Sequence, residues 1–243
     1  MLATGSKSLN TYRLSIRVFA DGFSFSVVNL FDGKEMRAWQ TAFSDEREAA
    51  QVLNEALNQP TTNDYEYADT ELIFVSPTTI VPLDSFHREA ISTIYRFNYP
   101  SNTGKSVVEY EVIPSLDAVV LYTHMKAVRE AMQALYPHTE VHSIDAKHLL
   151  WAYEQHRLED HDAGGFYVFD LDGRLTICAF QHNRLHFTCT YQAENAYDRI
   201  YHILTVWKQL QWNEKKDVCR LAVKDEELQK QLKRFIKNVE ICA

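Results

Sequence analysis

The chain has 243 residues with 46% hydrophobic content, enough for one large domain or two modest ones with real cores. A formal charge of −8 without a Lys/Arg stripe excludes a protein that grips the nucleic-acid backbone. The polar start, with Lys7, lacks the apolar core of a secretion signal, and no apolar run approaches roughly 18 residues, so a cytoplasmic protein without a membrane span is expected.

In chain order, the first expected element is an antiparallel meander. An Asp21-Gly22 turn would pair Ala20 with Phe23, Val18 with Phe25 and Ile16 with Val27, placing six apolar side chains on one face. Arg13, Ser15, Arg17, Ser24 and Ser26 then form a wetter opposite face. Asp32-Gly33 turns the chain into a third strand ending near Gln40. Ser44 is the expected cap of a helix whose inner stripe is Ala49, Val52, Leu53, Ala56 and Leu57. Leu72 to Val75 reads as a buried strand with a parallel partner. Residues 96–114 mix Asn, Pro, Gly and Tyr with one β-like segment, as an insertion would. An alternating series follows: strand 118–122, a helix through Val128 and Met132, strand 141–144 and a helix over 146–156.

The stretch 158–165, with its Gly164-Gly165 pair, is the expected hinge between a first subdomain at 1–158 and a second at 159–243. Beyond it the punctuation of the first half recurs at an offset of 151. Asp172-Gly173 matches Asp21-Gly22, Asn183-Arg184 matches Asp32-Gly33, and Asn195 matches Ser44. Apolar residues fall on both faces of this second meander, so its sheet should be covered on each side. Asn195 caps a helix with Tyr197, Ile200, Ile203, Leu204, Trp207 and Leu210 on its inner stripe. Strand 218–221, a helix over 225–235 and strand 238–242 close the chain, with no closing helix beyond them. The fold class is therefore mixed α/β: two subdomains, each a three-stranded antiparallel meander extended by β/α units.

Two such copies, carried by residues 14–29 and 166–191, resemble the actin, Hsp70 and hexokinase superfamily with its ribonuclease H-like halves. Residues 118–153 are similar to the end of the first half in pilus-assembly and secretion proteins of that group. The whole chain is identified as a member of the bacterial family called domain of unknown function 3822. The resemblance implies that the first hairpin of each half would be a phosphate loop, where a strand-end Asp positions the metal and adjoining glycines admit phosphate oxygens. Here those positions are Asp21 and Gly22 in the first copy, and Asp170, Asp172 and Gly173 in the second. The first strand carries no acid before Asp21, and neither loop clusters glycines. No glycine follows Gly173, whereas the superfamily grips adenosine with a Gly-Gly turn late in its second half.

The leading expectation is an actin-like protein without ATPase activity or bound cofactor that binds an as yet unknown protein partner. The alternative is a divergent Mg-ATP-binding phosphotransferase or ATPase using Asp170 and Asp172, and a two-metal ribonuclease H-type nuclease is a third. Other constellations carry less. Gly104-Lys105-Ser106 lacks the glycine that a P-loop places five residues earlier, and Tyr99 stands there. His182 and His186 lie too far apart along a strand to share an ion. His156, His161 and Asp162 have no accompanying nucleophile elbow. Cys178, Cys189, Cys219 and Cys242 read as reduced thiols, the first two sharing one face of a hairpin turning at His182-Asn183 but diagonal rather than paired. Tyr191, Tyr197, Tyr201, Trp207 and Trp212 would dock a protein through any exposed subset, and Phe23 would anchor one if exposed.

Overall fold

A computed structural model of the chain describes residues 11–59, 62, 65–101, 106–158 and 164–242. It divides into two compact units, the first comprising residues up to Val112 and Asp117–Ile144, the second Ile113–Leu116 and Asp145 onward. Gly104-Lys105 and His161-Asp162 lie outside the described residues.

In the first unit, β1 (Tyr12–Val18), β2 (Gly22–Asn29) and β3 (Glu35–Ala42) form the meander, and α1 (Glu46–Leu57) follows. Then come β4 (Tyr67–Phe74), β5 (Thr79–Pro82), α2 (Ile91–Asn98), β6 (Val107–Ile113), β7 (Ala118–His124), α3 (Lys126–Leu135) and β8 (Glu140–Ser143). The main sheet has the order β3-β2-β1-β4-β8, with β1, β4 and β8 parallel. Leu14, Ile16, Val18, Phe23, Phe25 and Val27 are buried under α1 and α3, as strand alternation requires. Phe23 is therefore packing, not an exposed anchor.

The hairpin register differs from the expected one. Val18 pairs with Phe23, Ile16 with Phe25 and Leu14 with Val27, and Phe19 N–H donates to Gly22 O at 2.9 Å, so Ala20 and Asp21 form the tip. The shift preserves which side chains face the core, so alternation alone does not choose between the two registers. Gly22 decides it: a Cβ there would lie 2.6 Å from Thr41 O, so β3 packs against a position that only glycine can fill. Asp45, not Ser44, caps α1, its side chain accepting from Arg47 N–H and Glu48 N–H.

The expected insertion at 96–114 belongs to a larger element. Strands β5, β7 and β6 make a separate three-stranded sheet, in which Val81, Tyr95, Val119 and Leu121 form their own core with α2. Strand β7 thus leaves the main β/α series, although Tyr122 on its other face joins the main core.

The second unit repeats the plan. After α4 (Ile144–Leu158) come β9 (Gly165–Leu171), β10 (Arg174–Gln181), β11 (Arg184–Gln192), α5 (Ala196–Gln209), β12 (Val218–Leu221), α6 (Glu226–Leu232) and β13 (Asn238–Ile241). Sheet order β11-β10-β9-β12-β13 reproduces that of the first unit. In both copies the chain leaving the third strand donates back to the first hairpin: Phe43 N–H to Asp21 O at 3.0 Å, Ala193 N–H to Gly173 O at 2.8 Å. The structural offset is thus 150 to 152 rather than a constant 151.

Helix α4, expected to close the first half at 158, groups instead with the second unit. Its Asp145 carboxylate accepts from Thr176 at 2.9 Å and Thr190 at 3.3 Å and pairs with Arg174 at 3.2 Å, joining the helix start to β10 and β11. His148 stacks on Phe169 and His156 on Phe180, so α4 covers one sheet face while α5 and α6 cover the other. The two-sided burial read from the sequence has this cause. Cys178 opposes Thr188 and Cys189 opposes Ile177, so the register shift at Ala179/Phe180 puts the two thiols on opposite faces instead of diagonal on one, and none of the four cysteines is in a disulfide.

Candidate functional site

Strand β9 overhangs its parallel neighbour. Its last partner in β12 is Val168, opposite Leu221, whereas β1 and β4 end together at Val18 and Phe74. Asp170 sits on the overhang, paired in the hairpin with Leu175. Helix α5 brings Arg199 to it, with Nε 2.8 Å from Asp170 Oδ2, and the same guanidinium lies 3.8 Å from Asp225 at the start of α6. Burial raises the Asp170 carboxyl above its ordinary value, Arg199 pulls it back and Asp225 pushes it further up. The strand-end acid is therefore already held by a cation.

Asp172 and Gly173 have φ of +51° and +75°, the two left-handed residues of a tight hairpin turn. A Cβ on Gly173 would meet nothing within 4 Å, so the glycine serves the backbone angle and not a close approach. Asp172 is exposed at the tip. In the first unit Asp21 is exposed, and neither it nor Gly22 has a positive φ; Gly22 is buried against β3. Asp170 is thus brought together with Arg199 and Asp225, while Asp21 and Asp172 stand at turn tips.

A further polar centre lies where the carboxyl ends of β1, β4 and β7 open a cavity of about 170 Å³, lined by Phe19, Glu46, Ser76, Thr123 and His124. Strand ends at such a position are a general place for ligands in α/β sheets. His124 is only 4% exposed, and its Nε2 lies 3.5 Å from Arg129 Nη1, which pairs with Glu109 at 3.0 Å. Burial first, and then Arg129, lower the imidazole's pKa, so the ring is neutral at neutral pH. His124 leaves no signal in the sequence, because it ends a buried apolar strand and belongs to no spaced motif.

On α5, Tyr197 is 84% and Tyr201 66% exposed, one turn apart, instead of Tyr197 lying on the inner stripe. Tyr191 stacks on His202 at 4.3 Å beside them, while Trp207 and Trp212 are buried.

The model of a protein of unknown function, DUF3822, matches residues 4–239. The chain belongs to the DUF3822 family. A crystal structure from Bacteroides thetaiotaomicron VPI-5482, described as a protein with an actin-like ATPase fold and unknown function, is similar over 96% of this chain and 91% of that one, with TM-score 0.78 and 24% identity. A structure of the PilM-PilN type IV pilus biogenesis complex is similar over 96% and 88%, with TM-score 0.52 and 10% identity. This DUF3822 chain therefore has the actin-like fold. No curated protein matches its sequence. Among the described residues, no helix of this DUF3822 member is long and apolar enough to cross a membrane.

Proposed function

We propose that this actin-like protein does not hydrolyse ATP and acts by docking another protein on the exposed face of α5. The observation that carries the first half is the Arg199–Asp170 pair at 2.8 Å. A metal-bound phosphate would have to displace a guanidinium from a largely buried carboxylate, leaving the half-buried Arg199 charge with the more distant Asp225. The two hairpins add to this reading, since Gly22 is spent on β3 and Gly173 on its turn.

For docking, Tyr197 and Tyr201 supply large, rigid surface at little conformational cost, the chemistry enriched at interface centres. The fold's presence in a PilM-PilN complex offers a precedent by analogy. A photo-crosslinking amino acid at Tyr201 is expected to capture one discrete heterologous adduct in cells, lost when Tyr197→Ser is added. The same reagent at Glu227, exposed on α6, should capture none. Equal, diffuse labelling from both positions would contradict the assignment.

A further inference from the structure

At the amino-terminal ends of β4 and β8, in the first unit, lies a cavity of about 240 Å³. Tyr67 and Tyr136 stand on it with ring centroids 6.1 Å apart and planes at 75°, two walls of a corner. The Tyr67 hydroxyl donates to Thr62 O at 2.7 Å, which fixes that ring, and burial raises the Tyr136 phenol so that it stays neutral. Tyr65 continues the aromatic row toward Tyr12, at centroid distances of 6.3 and 4.9 Å.

Besides the two tyrosines, the polar lining consists of the acids Asp69 and Glu140 with Thr70 and His138. Asp69 and Glu140 both line the cavity and are exposed. Asp69 pairs with Arg13 at 3.1 Å, but that pair is itself exposed and therefore weak, and Glu140 lies 3.3 Å from His142. Helix α3 ends at the rim through Leu135 and Tyr136, and its last turn holds no basic residue, so the negative end of its dipole is uncompensated from within the helix. Aromatic faces, two carboxylates and a helix carboxyl end all favour a cation.

We propose that this cavity receives the guanidinium of an arginine side chain of a protein partner, a proposal that rests on the reading above that the chain works by binding another protein. A planar guanidinium stacks on one ring while its N–H edge faces carboxylates, a fit that a compact ammonium does not match. The chain's overall charge of −8 favours the approach of such a basic partner.

The test is a heteronuclear NMR titration of the full chain with N-acetyl-arginine methylamide, its neutral isostere N-acetyl-citrulline methylamide, and N-acetyl-lysine methylamide. Arginine should give saturable shifts at Tyr67, Thr70, Tyr136 and Glu140, with citrulline weaker by about tenfold or more, and lysine also weaker. Tyr136→Leu and Glu140→Gln should each weaken arginine binding about threefold or more, and the exposed Glu140 keeps that second variant readable should the first unfold. Equal binding of arginine and citrulline, equal binding of lysine, shifts that map elsewhere, or full affinity in the Glu140 variant would each overturn the proposal. The titration uses no partner, so its failure leaves the Tyr201 crosslink standing. A failed crosslink with a positive titration would overturn docking on α5 alone.

Discussion

A carboxylate that is to hold a metal must offer it its oxygens, and Asp170 already offers Oδ2 to Arg199 at 2.8 Å. Because burial raises its pKa, the native state binds the Asp170 proton more tightly than the unfolded chain does. Its contribution to stability is therefore fully present below the unfolded pKa and is lost as pH rises through the folded one. Arg199 limits that loss, and Asp225 aggravates it. Replacing Arg199→Met should accordingly destabilise the protein at neutral pH by roughly 2 kcal/mol, since it strands a largely buried charge. The loss should shrink as acid protonates Asp170. Urea melts across pH 4.5 to 7 check this, and a loss independent of pH would contradict it. Asp170 was legible in the sequence as an acid at a strand end. Arg199 was not, because its reach to Asp170 depends on which face α5 turns to the overhanging β9.

Helix starts and hairpin tips carry the next scale. Asp45 and Asn195 each accept two backbone N–H bonds at the starts of α1 and α5, so alanine at either should cost about 1 kcal/mol, whereas Ser44→Ala should cost less than about half of that. Chemical denaturation of the three variants decides between the caps; an Ser44→Ala loss as large as that of Asp45→Ala would refute the assignment. Asn195 is legible as a cap because a single cap candidate immediately precedes its helix. Ser44 and Asp45 are adjacent cap formers, and composition does not separate them. The hairpin slip at β1–β2 has the same character: both registers bury Val18 and Phe25, and the contact that chooses, Gly22 on Thr41 O, comes from β3. Strand β7 reads as a main-sheet strand because all seven of its side chains are buried, yet that burial is divided between two cores.

At the scale of the whole molecule the duplication was the strongest signal in the chain. Its meanders, helices and parallel strands recur with the same sheet order in both units, and the likeness to the Bacteroides protein extends over nearly the whole length. What pattern reading misplaced is α4, whose buried Asp145 joins it to the second unit through Thr176 and Arg174, side chains distant in sequence. An actin-like fold does not by itself imply ATP chemistry. The functional proposal therefore stands on the residues at the two hairpins. Isothermal titration of Mg-ATP into the wild-type chain and its Asp170→Asn variant, at near-physiological salt, tests it most directly. The account predicts no detectable binding to either protein at millimolar ATP. Micromolar binding by the wild type that is lost in Asp170→Asn would contradict it and make Asp170 a ligand of the nucleotide's metal.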